Sequence, residues 1–122
     1  MEIRSYLHTA ILVEDLPGAE VFYGQVLGLT KVDRPLGFPG AWYQIGTVQI
    51  HLIAADRPIT DQIGTQKWGR NRHMAFEVTD LAAAQAKLLA HQCPVQMSAS
   101  GRLALFTQDP DGNIIELSQI NS

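Results

Sequence analysis

Residues 7–20, LHTAILVEDLPGAE, lie in one ungapped register over residues 72–85, RHMAFEVTDLAAAQ. The offset of 65 positions pairs His8 with His73, Ala10 with Ala75, Val13 with Val78, Asp15 with Asp80, Leu16 with Leu81 and Ala19 with Ala84. The same offset places Ile50 on Ile115, His51 on Glu116 and Leu52 on Leu117. Agreement at both ends of a segment, without a gap, marks an internal repeat. The chain therefore reads as one domain of two modules, 1–54 and 71–122, joined by the polar stretch 55–70.

Each module has the same predicted order of elements. Residues 4–13 and 72–79 are rich in apolar types and alternate, as strands do. Asp15 and Asp80 follow as N-caps, the first with Pro17 in the opening turn. Leu16, Ala19, Tyr23, Val26 and Leu27 recur at helical spacing up to Gly28, and Leu81, Ala84 and Leu88 do the same. Three strands then follow in each half, near 29–34, 41–46 and 47–54, and near 94–98, 102–108 and 113–119. DPDGN at 109–113 is a strong turn signal between the last two. The modules are β-α-β-β-β, so the fold class is α+β.

Strand alternation sorts the side chains into two faces. Leu7, Ile50, Leu52, Met74, Ile115 and Leu117 flank His8, His51, His73 and Glu116 and point the other way, toward a helix-packed core. The opposite face gathers three of the four histidines and one carboxylate at repeat-equivalent positions. His91 falls near a helix C-terminus, where a structural role is expected. Three imidazoles and a carboxylate form an N3O donor set suited to one divalent ion: Zn, Ni, Co, Fe(II) or Mn. The formal charge of such a site, near +1, favours an anionic intermediate such as an enediolate or catecholate. Two alternatives to a metal are a duplication relic that has lost its ion, and a protonated His paired with Glu116.

The composition sets the outer bounds. With 122 residues, 46% of them hydrophobic, the chain is long enough for a real core without disulfides. Its single cysteine, Cys93, excludes an internal disulfide and reads as a structural thiol. A net charge of −3 gives no basic surface for nucleic acid, and no apolar run is long enough for a membrane span. MEIRSYLH lacks the layout of a secretory signal, so a cytoplasmic location is expected.

The βαβββ repeat, LHTAILVEDLPGAEVFYGQVLGL at 7–29, RHMAFEVTDL at 72–81 and GRLALFTQDPDGNIIELSQ at 101–119 resemble the vicinal oxygen chelate superfamily over essentially the whole chain. That group includes glyoxalase I, extradiol dioxygenases, fosfomycin-resistance proteins, methylmalonyl-CoA epimerase and bleomycin-resistance proteins. GFPGAWYQIGTVQIHL at 37–52 further resembles a glyoxalase or dioxygenase subgroup without an assigned reaction. The resemblance implies paired modules forming a U-shaped mixed sheet around a metal, with ligands on the first and last strand of each module. By position these are His8, His51, His73 and Glu116. It also implies a small substrate with vicinal oxygens and a homodimer, with each site built within one chain or across two.

The resemblance leaves three functions open. A ligand set of His8, His73 and Glu116 leaves positions for both a catecholate and O2, as in a ring-cleaving dioxygenase. A fourth ligand, His51, removes the position for O2 and points to glyoxalase-like isomerase or lyase chemistry, the preferred expectation. There Glu116 and His51 are the catalytic candidates for proton transfer. Two departures weaken glyoxalase I itself: a glutamate usually stands where this chain has His51, and an arginine near Leu12. The third function is a metal-free ligand-sequestering protein of the bleomycin-resistance kind. Arg102, Tyr43 and Ser98 are the substrate-binding candidates, with Arg72, Trp42, Trp68 and Ser100 as further pocket residues.

Overall fold

The computed structural model describes residues 1–120. It resolves into two compact units, Met1–Ile59 and Thr60–Ser122. The first holds β1 (His8–Val13), α1 (Leu16–Glu20), β2 (Thr30–Val32), β3 (Gly40–Ile45) and β4 (Val48–Ala54). The second holds β5 (His73–Glu77), α2 (Leu81–Ala90), β6 (Val95–Met97), β7 (Ala104–Gln108) and β8 (Ile114–Ser118). Each unit is a four-stranded mixed sheet, ordered β1-β4-β3-β2 and β5-β8-β7-β6. Both βαβββ modules are thus present. Among the described residues, no helix is long and apolar enough to cross a membrane.

The repeat extends to the strand register. β1 runs parallel to β4 with Ala10 opposite His51, and β5 runs parallel to β8 with Ala75 opposite Glu116. One offset of the sequence therefore reproduces the pairing of both sheets. The helix caps repeat too: Asp15 Oδ1 accepts from Gly18 N at 3.0 Å, and Asp80 Oδ1 accepts from Ala83 N at 3.1 Å. The β7–β8 turn is closed by Asp109, whose Oδ1 accepts from the backbone N–H groups of Asp111 and Asn113, both at 2.9 Å. Gly112 supplies the φ of 87° that this turn needs.

The core face is the one expected at Val13, Ile50 and Leu52 in the first unit and at Ile115 and Leu117 in the second, all buried with Tyr23, Tyr43, Leu81, Leu88 and Leu105. Leu7 is the exception: it precedes β1, is 68% exposed and lines a cleft with His8.

Three features depart from the sequence reading. β1 starts at His8, not at residue 4, because its parallel partner β4 begins only at Val48. The helix predicted to run from Leu16 to Leu27 widens after Glu20 into a π-helical segment, Val21–Val26. There Leu27 N donates to Phe22 O, five residues back, at 2.8 Å. This wider turn buries Phe22 beside Tyr23 and Val26. Gly24 leaves room for the Tyr43 ring, whose Cε1 lies 3.4 Å from where a Cβ would stand.

The third departure is the stretch read as a linker. Its second half belongs to the second unit and contains a 3₁₀ turn, Trp68–Arg70. Asn71 holds it. Its Oδ1 accepts from Ile63 N at 2.6 Å and Gly64 N at 3.0 Å, and its Nδ2 donates to Gly64 O at 2.6 Å and Trp68 O at 3.1 Å. Asn71 is buried, so alanine there leaves several backbone groups unpaired away from water. Asn71→Ala is expected to cost about 2–3 kcal/mol in urea unfolding. A change below roughly 0.5 kcal/mol, the range of ordinary surface substitutions, would contradict that role.

Candidate metal centre

The structure brings the four repeat-equivalent residues together as two pairs. In the first unit, His8 and His51 stack with centroids 4.0 Å apart and planes 12° apart. Trp42 stacks on His51 at 4.1 Å. This follows from register, because Trp42 lies opposite His51 across β3 and β4. In the second unit, His73 Nε2 lies 3.3 Å from Glu116 Oε1.

Hydrogen bonding fixes which ring atoms are available. His73 Nδ1 lies 2.7 Å from Asn71 O, which can only accept, so Nδ1 carries a hydrogen and donates it. Nε2 is left with a lone pair, facing a carboxylate oxygen. Two lone pairs do not attract, so a cation belongs between them, either a proton or a metal. Ligand atoms 3.3 Å apart fit one ion at about 2.1 Å from each, with an angle near 100°. Glu116 is oriented for this: Ser118 Oγ donates to its Oε2 at 2.8 Å, and Arg102 Nη1 lies 3.6 Å from the same oxygen. Oε1 is thus the atom turned to His73. An outer hydrogen bond on each ligand is the usual support of a metal site.

The first pair is arranged differently. Gln44 Nε2 donates to Gly46 O at 2.8 Å, so Gln44 Oε1 accepts from Gln49 Nε2, also at 2.8 Å. Gln49 Oε1 must then accept from His51 Nε2 at 2.8 Å. This chain of amides assigns the Nε2–H tautomer and leaves Nδ1 as the free lone pair of His51. A metal binds in the plane of an imidazole ring, and planes 12° apart meet far beyond coordination distance. The two rings must turn apart before both can hold one ion. The His73–Glu116 pair fits a metal as it stands. Among the described residues, no group of three or more His, Cys, Asp or Glu side chains is gathered closely enough to hold an ion.

Burial holds the His51 pKa below its ordinary 6.5, helped by the charges of His8 and Arg34. His51 is therefore neutral at pH 7. A depressed histidine pKa means the unfolded chain binds the proton more readily. Its contribution to stability is present above pH 6.5 and is lost as pH falls toward the folded value. The metal-free protein is expected to lose stability over that interval, and His51→Gln to flatten the loss. A His51 ring titration by NMR with its midpoint at or above 6.5 would contradict this.

The substrate-binding candidates separate. Arg102, Ser98 and Ser100 share a cleft of about 420 Å³ with Glu116, Phe106 and Gly69. Arg102 Nε donates to Ser100 Oγ at 3.0 Å, and the two serine hydroxyls lie 2.8 Å apart. Tyr43, in contrast, is a core residue. It is fully buried, and its hydroxyl donates to Glu20 O at 3.5 Å. Burial, with the Glu20 charge, raises its pKa to about 12. Strand parity explains the correction: Tyr43 lies opposite Ile50 on the core face, and its neighbour Trp42 faces the cleft. Arg72 turns to Asp61 at 2.9 Å and is exposed. Sequence reasoning missed Asn71, the Gln44–Gln49 chain and Arg34, which lines a second cleft of about 580 Å³ with His8, Trp42 and His51.

The sequence matches the Glyoxalase/Bleomycin resistance protein/Dioxygenase superfamily over residues 5–117. Among characterised proteins it is 27% identical to Glyoxylase I 4 of Arabidopsis thaliana, covering 100% of this chain and 74% of that protein. It is 29% identical to mitochondrial methylmalonyl-CoA epimerase of Homo sapiens, covering 92% of this chain and 72% of that one. A glyoxalase family protein from Bacillus anthracis has the same fold, with a TM-score of 0.79 at 20% identity over 99% and 98% of the two chains. With a match across nearly its whole length, two repeated βαβββ modules and paired His and Glu side chains on their sheets, the chain belongs to the glyoxalase/bleomycin resistance/dioxygenase superfamily.

Proposed function

We propose that this protein is a metal-dependent enzyme with glyoxalase-like isomerase or lyase chemistry, acting on a small molecule with two adjacent oxygens. The observation that supports it most is the lone pair of His73 Nε2 aimed at Glu116 Oε1 from 3.3 Å, an arrangement a divalent cation satisfies. His73 and Glu116 would hold the ion with His8 and His51. The other two ligands come from the same chain or from the second subunit of a homodimer. When bound, the metal polarises the substrate's adjacent oxygens and lowers the pKa of the neighbouring C–H.

The rest of the chemistry lies in the side chains. His51 is neutral at pH 7 with one free lone pair, on Nδ1, which either joins the ligand set or, where His51 stays off the ion, accepts the substrate's proton. Ser118 and Arg102 hold Glu116 in one orientation. Arg102 with Ser98 and Ser100 offers an anionic substrate group one cation and two hydroxyls. The proposed setting is the cytoplasm, where the free thiol of Cys93 is stable.

One observation favours a second reading. The stack of His51 between His8 and Trp42 resists its use as a ligand. A set of His8, His73 and Glu116 would then suit an extradiol dioxygenase holding Fe(II) or Mn. One experiment separates the two. In D2O without oxygen, the metal-loaded protein is expected to exchange the α-proton of 2-oxoaldehyde hemithioacetals or 2-substituted malonyl thioesters, seen by NMR. No exchange, with O2 consumption on catechols, would replace the first reading by the second. Neither activity, in protein that purifies without metal, would leave a ligand-sequestering role.

A further inference from the structure

The geometry points to Arg34 as the recognition group for a carboxylate in the first-unit cleft. Among the described residues, Arg34 is the only Lys or Arg in the lining of that cleft, and no Asp or Glu lines it. Its remaining polar lining is His8, His51, Trp42, Gln44, Gln49 and Thr47.

The guanidinium is held in place from several sides. It stacks over the Phe38 ring at 4.4 Å. It also packs against Gly40, where a Cβ would stand 3.0 Å from Arg34 Cζ and 3.0 Å from Nε. Nη1 donates to Phe38 O, and to Leu36 O at 3.4 Å. Nε and Nη2 are buried without a hydrogen-bond partner. Those two nitrogens form the edge of the guanidinium that receives a carboxylate through two parallel hydrogen bonds. A charged donor left unpaired away from water is costly, and a fork fixed beside an acid-free cleft suits a planar anion. Nε and Nη2 are covered in this state, so a carboxylate must displace part of the turn 35–39, whose Leu36 and Phe38 side chains are exposed. Trp42, Leu36 and Phe38 add apolar walls, so the ligand class is a carboxylic acid with an aromatic or apolar body.

This deepens the proposed function by naming a charged group on the substrate, and it rests on that reading only in calling the occupant a substrate. The test uses metal-stripped protein, benzoate and its neutral isostere benzamide, with the His8 and His51 ring protons followed by NMR. Benzoate is expected to shift both signals saturably, at concentrations at least tenfold lower than benzamide. Arg34→Gln is expected to abolish that preference, and Arg34→Lys to restore only part of it. Equal binding of the two probes, no shift with either, or an unchanged preference in Arg34→Gln would overturn the inference. The wild-type comparison stands even if a variant misfolds. Benzoate selectivity in a protein that never takes up metal would keep this inference and remove the metal-dependent function. Metal uptake without selectivity would do the reverse.

Discussion

Replacing Glu116 by glutamine is expected to weaken divalent-metal binding by at least about 100-fold, equivalent to roughly 2.7 kcal/mol. The substitution keeps the shape and removes the charge. It takes away the one anionic donor of the set, so three neutral imidazoles remain. Glu116 is also buried, and its Oε2 is held by Ser118. Ser118→Ala therefore frees the carboxylate to turn and should cost about 10–100-fold. The order of the two effects is part of the expectation. Competition against a chromophoric chelator measures both, and a Glu116→Gln protein that retains wild-type affinity would contradict it. Because the metal binds the folded chain, each loss also appears as a smaller rise in melting temperature between chelator and excess metal.

The second large effect is on stability. Leu105 is fully buried in β7, opposite Leu117 on the helix-packed face of the second sheet. Leu105→Ala removes packed methyl groups and leaves a cavity that a sheet between paired strands cannot easily close. The expected cost is about 3–5 kcal/mol. Domains of this size have only about 5–15 kcal/mol in total, so the variant should sit near its unfolding threshold at 37 °C. Leu12→Ala, at a half-exposed position of β1, should cost less than about 0.5 kcal/mol. Denaturant unfolding of the two variants side by side reads the contrast, and similar midpoints would refute the assigned core face.

Much of this architecture is legible in the sequence because duplication writes it twice. One offset fixed the element order and sorted the strand faces, and the structure adds the parallel pairings β1–β4 and β5–β8 in the same register in each sheet. Helix caps at Asp15 and Asp80 follow from local chemistry alone. What escaped depends on contacts distant in sequence. The π-helical segment after Glu20 carries Gly24 against the Tyr43 ring of β3, a contact distant in sequence that helical periodicity does not register. Asn71 reads as an ordinary polar residue before a strand, yet it ties down residues 63–68 through four hydrogen bonds.

Tyr43 is a different kind of miss. Parity with His51 across the β3–β4 hairpin already placed Trp42, and not Tyr43, on the cleft face. The chemistry of a phenol suggested a substrate contact, and the pleat overrules it. Arg34 carried a weaker signal, one cation within a turn of Pro and Gly residues. Only its burial between Phe38 and Gly40 distinguishes it from a solvated charge. For the metal residues, the sequence names the positions and the structure adds the atoms: Nε2 of His73, Oε1 of Glu116 and Nδ1 of His51.

The proposed shared ion is tested most directly by anomalous diffraction from crystals grown with cobalt or zinc. One peak per chain is predicted, about 2.0–2.3 Å from His73 Nε2, Glu116 Oε1 and His8, the last from the same chain or its dimer mate. Ions bound separately at the two pairs, or no peak near Glu116 at saturating metal, would contradict the account.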